Sequence, residues 1–340
     1  MPDITFDSFY PQGNTITLLH RQLLQGCLSH AIILQGIPGT GKKTLAKLLA
    51  KALLCREKDP PCGICRDCQL AEKTEHPDLT LIQAGEPIAP GVRKDRTTIP
   101  VDDIRELIRI CSEHTLDEGN RVAVIPDADR MTAQAQNALL KTLEEPPEGH
   151  YFILTTEHPE NILTTVKSRC EQIFLHPWSE KDILKILSDR GASSRHAEEA
   201  ARIAEGSPGR AIRIAEDEEY WTQRKEMSRQ FFGITSHSDI YRISGAWKDR
   251  KGEADALFFF LEEQFQSMLK YRLGIQEQLI TDEIPGPWRN VAEIADPETF
   301  ARLTDLVINA RKQKEANVNF QAVVEQLLFG MIGECSRWQK

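Results

Sequence analysis

The sequence predicts an α/β fold: a parallel sheet flanked by helices, interrupted by a four-cysteine insertion and followed by helices alone. Three observations predict it. The short apolar run Ala31-Ile32-Ile33-Leu34-Gln35 leads straight into a glycine loop and then an amphipathic helix. From there to about residue 177, strand-like and helix-like segments alternate. Beyond Trp178 only helical periodicity remains.

The elements follow in order. Residues 44–54 place Leu45, Leu48, Leu49, Ala52 and Leu53 on one helical stripe. A cysteine cluster interrupts, and a second strand is expected near 78–82. Residues 83–100 are rich in glycine, proline and charge, which predicts a mobile loop. Helix returns at 101–111, where Ile104, Leu107, Ile108 and Cys111 are in phase. A strand spans 121–126. Thr132 can cap the next helix, which runs through Ala138, Leu139, Leu140 and Leu143 until Pro146-Pro147 stops it. Glu144 and Glu145 at its end are expected to be solvated. Tyr151 to Thr156 is another strand. One short helix over 159–167 should lead into Ser168-Arg169-Cys170, and 172–175 should close the sheet. Short amphipathic helices follow over 179–189, 195–204 and 208–214, separated by Gly191 and Gly206-Ser207-Pro208-Gly209. The charged stretch 216–224 suggests a linker. Two longer helices carry Leu257, Phe258, Leu261, Phe265 and Met268, then Val323, Val324, Leu327, Leu328 and Met331. No internal repeat is evident.

The chain has 340 residues, room for two or three domains. Apolar residues make up 40% and charged residues 27%, ordinary values for a globular protein. No apolar run approaches a membrane span, and MPDITFDSFY lacks a signal region, so a cytoplasmic location is expected. The net charge of −9 gives no overall footprint for nucleic acid, which argues against a zinc-dependent DNA-binding module.

Residues 36–44 read Gly36-Ile37-Pro38-Gly39-Thr40-Gly41-Lys42-Lys43-Thr44. A P-loop, G-x-x-x-x-G-K-[S/T], wraps phosphates in glycine amides and holds Mg²⁺ on its last hydroxyl. The glycines and Lys42 are in place, but Lys43 stands at the hydroxyl position, where a cation cannot ligate Mg²⁺. Thr44 is one residue late, a rotation of roughly 100° along a helix. The partner strand is altered as well. It usually ends in Asp-Glu; here Pro126-Asp127 stands there. Two lost metal-binding groups predict a P-loop NTPase fold whose own site holds Mg²⁺ poorly. Lys42 and the glycine nest can still hold phosphate, so ATP or ADP bound without turnover fits the sequence. The rival reading is a working site that uses Thr44 and Asp127.

Eight cysteines are present. Cys62, Cys65 and Cys68 form two overlapping C-x-x-C steps, with Cys55 just upstream. Four thiolates suit a closed, structural Zn²⁺ site. An iron–sulfur cluster is the rival, but the Cys-Pro that would continue a ferredoxin run is missing. Cys27, Cys111, Cys170 and Cys335 are isolated and are expected to be small buried hydrophobes.

The P-loop, the four-cysteine insertion, the run from Asn137 to Pro147 and Ser168-Arg169-Cys170 occur in the order seen in bacterial clamp-loader AAA+ subunits. The chain resembles that family over about 10–215, and beyond that in helical pattern alone. The resemblance implies an AAA+ domain over 1–177 with the zinc module at 55–68. It implies a small helical lid over 178–216 and an all-helical collar over 217–340. It also implies ATP-driven loading of a sliding clamp on primed DNA by a hetero-oligomer. Two branches compete: the motor ATPase (gamma/tau) and the delta-prime subunit of DNA polymerase III, which commonly has a degenerate site. Lys43 and Pro126-Asp127 resemble the latter. Its partners would be motor subunits and a delta subunit. By the same resemblance, Arg169 is an arginine finger given in trans to a neighbour's ATP. Arg210 matches the region of a nucleotide-sensing arginine, and Thr155 or Thr156 the sensor that feels the γ-phosphate.

Overall fold

The structure, a computed structural model, describes residues 4–86, 88–89, 97–112, 119–191, 194–234, 236–275 and 286–337. The chain divides into two compact units, Met1–Ala215 and Glu216–Lys340.

In the first unit, a 3-10 turn, Phe6–Gln12, leads into α1 (Asn14–Leu24). Then come β1 (Ala31–Gln35), α2 (Lys42–Leu54), α3 (Arg66–Glu72), β2 (Leu79–Leu81), α4 (Val101–Ser112) and β3 (Arg121–Ile125). α5 (Ala133–Glu144), β4 (His150–Thr156), α6 (Thr164–Lys167) and β5 (Glu171–Phe174) complete the sheet layer. The sheet is parallel, in the order β2-β3-β4-β1-β5. β1 is an inner strand between β4 and β5, pairing Ala31 with Phe152 and Gln35 with Thr156 on one side, and Ile32 with Glu171 on the other. All five residues of β1 are buried, as expected for a parallel strand covered on both faces. Its carboxyl end delivers the chain to the glycine loop, so the loop lies where ligands of such sheets bind.

Thr132 caps α5 through its hydroxyl, which accepts from Ala135 N–H at 3.2 Å. The helix ends at Glu144, just before the proline pair. The helix expected over 159–167 is instead two pieces: a 3-10 turn, Pro159–Asn161, and the four-residue α6. Ile162 and Leu163 between them are extended, and Leu163 N–H donates to Gln136 Oε1 at 2.7 Å rather than to a helical carbonyl. Of the loop expected over 83–100, residues 87 and 90–96 lie outside the described residues. Its start is tied down: the buried Asp103 carboxylate accepts from Ile88 and Ala89 N–H at 3.0 and 2.9 Å. Cys27 corrects another expectation. It is exposed, whereas Cys111, Cys170 and Cys335 are buried as expected. It lies in the loop after α1, short of the buried β1, so nothing covers it.

α7 (Glu180–Asp189), α8 (Ser194–Ile203) and α9 (Pro208–Glu216) end the first unit. The stretch 216–224 is not an open linker. After α9, Asp217 alone breaks the helix, and its carboxylate caps the next one by accepting from Tyr220 N–H at 2.9 Å. Trp221 and Arg224 of that helix are buried, which holds the segment helical.

The second unit is helical among its described residues: α10 (Glu218–Phe232), α11 (His237–Trp247), α12 (Ala254–Arg272), α13 (Gly286–Ile294), α14 (Pro297–Glu315) and α15 (Phe320–Ser336). Its core gathers Phe231, Phe232, Trp247, Phe258, Phe265, Trp288 and Phe300, with aromatic pairs packed edge to face. The buried Arg224 pairs bidentately with Glu263 at 2.9 and 2.7 Å, so its charge is not left alone in that core.

Candidate functional site

The glycine loop forms between β1 and α2 as the motif requires. Lys42 opens α2, and its side chain is buried at 3% exposure. It donates to Gly36 O and Ile37 O at 2.9 and 2.7 Å and reaches Glu157 at 3.3 Å. Burial pushes its pKa below the usual lysine range, and the Glu157 carboxylate pulls it back up.

The two departures from the motif find each other. Lys43 Nζ donates to Asp127 Oδ2 at 2.7 Å. Asp127 does not extend β3. It sits beyond Pro126 in the left-handed region, φ 51°, and its N–H donates to Thr155 Oγ1 at 3.2 Å. The residue replacing the Mg²⁺ hydroxyl and the acid beyond the strand thus neutralise each other.

Thr44 and Gly39 help line a cavity of about 430 Å³ with Phe9, Trp178, Ile186 and Ile212. Gly36 and Lys42 are not among its lining residues, and neither is Arg210. The Arg210 guanidinium lies 3.4 Å from Glu205 instead. The loop is clasped by the segment that carries Arg210. Gly209 N–H donates to Gly39 O at 2.9 Å, and the Trp178 indole donates to Thr40 O at 3.0 Å. Gly39 has φ +76°, and a Cβ there would collide with Ser207 Oγ, so glycine is required twice over. Thr156 Oγ1 donates to Asp129 at 2.7 Å, so both candidate sensor threonines bridge the ends of β3 and β4.

Arg169 follows α6 and is partly exposed. Its guanidinium donates from Nε to Glu144 Oε1 at 2.8 Å, from Nη2 to the same oxygen, and from Nη1 to Thr165 O at 2.8 Å. Glu144 is therefore not simply solvated. With His30, Leu143 and Ser168, the pair lines an open recess of about 480 Å³.

The four cysteines converge between α2 and α3. Their sulfurs lie within 4.8 Å of one another, with Cys55–Cys65 and Cys62–Cys68 each at 3.9 Å. Thiolates around a tetrahedral Zn²⁺ at about 2.3 Å stand about 3.8 Å apart, so the set fits such a metal. Backbone N–H groups of Cys62, Cys65 and Cys68 point at the sulfurs of Cys55, Cys62 and Cys65 at 3.4–3.5 Å. Those from Cys65 and Ile64 draw the Cys62 thiol down to about 7, while burial raises Cys65 and Cys68. A cation held there would supply the charge that keeps all four deprotonated.

A family profile described as "DNA polymerase III, delta subunit" matches residues 11–179. DNA polymerase III subunit delta' of Escherichia coli is 31% identical over 304 residues, covering 88% of this chain and 87% of its own. The subunit delta' of Haemophilus influenzae is 32% identical, covering 89% of each. The chain belongs to the delta-prime family of DNA polymerase III. The subunit delta' of Bacillus subtilis, 28% identical, spans 93% of the chain and 95% of its own length. By contrast, the tau subunit of E. coli, 32% identical, matches 62% of this chain and only 32% of its own. The AAA+ fold expected from the motifs and the delta-prime assignment both stand.

Glu144, Glu157, Trp178 and Gly209 escaped sequence reasoning. Each acts through a partner at least 25 residues away, which no local spacing reveals. Trp178 alone left a signal, as a single tryptophan at the point where alternation gives way to helices.

Proposed function

We propose that this delta-prime chain is the silent member of a clamp-loader arc: it does not turn over ATP and completes the site of a neighbour that does. The carrying observation is the Lys43–Asp127 pair. Mg²⁺ needs oxygen ligands beside the β- and γ-phosphates. Here an ammonium stands in that register, and the nearby carboxylate is engaged with it. ATP or ADP can lodge through Lys42 and the glycine amides without being hydrolysed. Arg210 would be the nucleotide-sensing arginine of the lid, and here its guanidinium lies 3.4 Å from Glu205.

The assembly would act in the cytoplasm, with gamma/tau-type motor subunits and a delta subunit as partners and the sliding clamp and primed DNA as its targets. Arg169 would supply positive charge to the phosphoryl oxygens of a motor subunit's ATP, an effect worth about 10³–10⁵ in rate for such fingers. Cys55, Cys62, Cys65 and Cys68 would hold one Zn²⁺, whose chemistry is a closed four-thiolate crosslink. The lid would be 178–216 and the collar 217–340.

The test is an ATPase measurement on the pure chain and on the reconstituted complex. The pure chain should show no turnover above background, with or without primed DNA. Complexes carrying Arg169→Ala should assemble with zinc intact but hydrolyse ATP and load clamps more slowly. Turnover by the pure chain that Lys42→Ala abolishes would instead identify a motor subunit.

A further inference from the structure

The arginine at the edge of the sheet is not a free-swinging side chain. Long side chains lose rotamer entropy when they must take up one geometry, and a catalytic charge displaced by about 1 Å can forfeit about a hundredfold in rate. A guanidinium that acts on a neighbour's phosphate therefore gains from being fixed beforehand on its own subunit. The means of fixing it are present. Arg169 sits directly after α6, its N–H bonded to Val166 O at 3.1 Å, and Cys170 beside it is buried. Glu144 is the last residue of α5, a position set by the proline stop. Gln136, in the first turn of α5 and 2% exposed, ties the start of that helix to the segment leading into α6: it donates to Asn161 O at 3.0 Å and accepts from Leu163 N–H at 2.7 Å. Across this frame, Glu144 Oε1 accepts from Nε and Nη2, and Thr165 O accepts from Nη1. Nη1 also donates to Ser168 Oγ at 3.3 Å, so both of its N–H groups are taken up within the subunit. Nη2 carries two N–H groups and spends one on Glu144, so its second is left over for an acceptor from outside. The Arg169 side chain remains 30% exposed beside the open recess formed with His30 and Leu143.

We infer that Glu144 is the positioning residue for Arg169: its carboxylate oxygen anchors the inner edge of the guanidinium, so that the remaining Nη2 N–H is presented to the adjoining subunit. This rests on the reading of Arg169 as a finger in trans. What Glu144 supplies is a fixed acceptor at a fixed place, and an amide oxygen at the same place serves as well.

The experiment uses complexes reconstituted with the full-length chain, wild type or carrying Arg169→Ala, Glu144→Ala, Glu144→Gln, Glu145→Ala or the double substitution of Glu144 and Arg169 to Ala. Incorporation and zinc content are checked in each. Clamp- and DNA-stimulated ATPase is then resolved into kcat and the KM for ATP. Glu144→Ala should lower kcat roughly three- to tenfold with KM unchanged, because the finger acts on the transition state. Glu144→Gln should recover most of that loss, and Glu145→Ala, exposed one residue on, should be silent. The double substitution should match Arg169→Ala alone, since a positioning residue has nothing left to position. If Arg169→Ala slows the complex while Glu144→Ala does not, or if Glu144→Ala speeds it, the positioning role is wrong and the finger reading survives. If Arg169→Ala leaves rates unchanged, both readings fall together. Losses that add in the double substitution would also overturn the inference, because Glu144 would then act independently of Arg169.

Discussion

At the scale of single residues, the departures from the P-loop motif are partners rather than separate losses. Lys43 and Asp127 pair at 2.7 Å, with the lysine side chain 55% exposed. Exposed pairs of this kind contribute about 0–1 kcal/mol, so the pair matters for chemistry more than for stability. Lys43→Thr should shift the urea midpoint of the pure chain little and should not start ATP turnover. It returns the hydroxyl, but Pro126 still stands in place of the strand-end acid. Turnover in that single variant would show that one ligand had been the whole defect. The cysteines make a second case. Burial pushes Cys111 up to about 11 and Cys170 up to about 12, so both remain thiols at pH 7–9. Alkylation of the folded, zinc-loaded chain at pH 8 should therefore mark Cys27 first, and mass spectrometry of the peptides checks the order. The motif and the cysteine spacing were legible because they are local. Which partner Lys43 or Arg169 takes was not, because Asp127 and Glu144 reach them only through the sheet.

Among the elements, strands and long helices were the most readable. Apolar runs such as Ala31 to Leu34 have few alternatives to a buried strand, and Pro146-Pro147 can only stop a helix. The sequence misled where a polar side chain competes with the backbone. The helix expected over 159–167 is split because Gln136, from another element, takes the Leu163 N–H. Gln136 is nearly isosteric with Leu, yet Gln136→Leu should cost about 2–3 kcal/mol in urea unfolding, since it strands a backbone donor and a carbonyl in a buried place. An unchanged midpoint would mean that water takes over both groups. The cysteine insertion is the opposite case: its spacing was readable and its packing shallow. Cys68 opens into α3 and is fully buried, while Ile64 at the tip is 82% exposed. The insertion offers little apolar surface of its own to bury, which is the usual condition for a metal staple.

For the whole molecule, the chain changes character at residue 216, and each unit has its own core. The first is closed by its parallel sheet, where Ile33, Ile125, Phe152 and Leu154 are buried with the apolar face of α5. The second is stabilised by Trp247, Phe258, Phe265 and Phe300, each fully buried, with Arg224 and Glu263 paired inside the same unit. Neither set of core residues draws members from the other unit. Residues 1–215 should therefore fold without the rest, giving a cooperative thermal transition and one zinc per chain. The second unit carries no phosphate loop and no metal cluster among its described residues, only helices with buried aromatic faces. If that unit is the collar, the 1–215 fragment should fail to enter the clamp-loader complex when mixed with the other subunits, while the full chain enters it. Size-exclusion chromatography with quantitative staining reads both results from the same samples. Full occupancy by the fragment would move the assembly surface into the AAA+ part. A fragment that assembles poorly and also fails to melt cooperatively would show that the two units depend on each other to fold, against the separation of their cores.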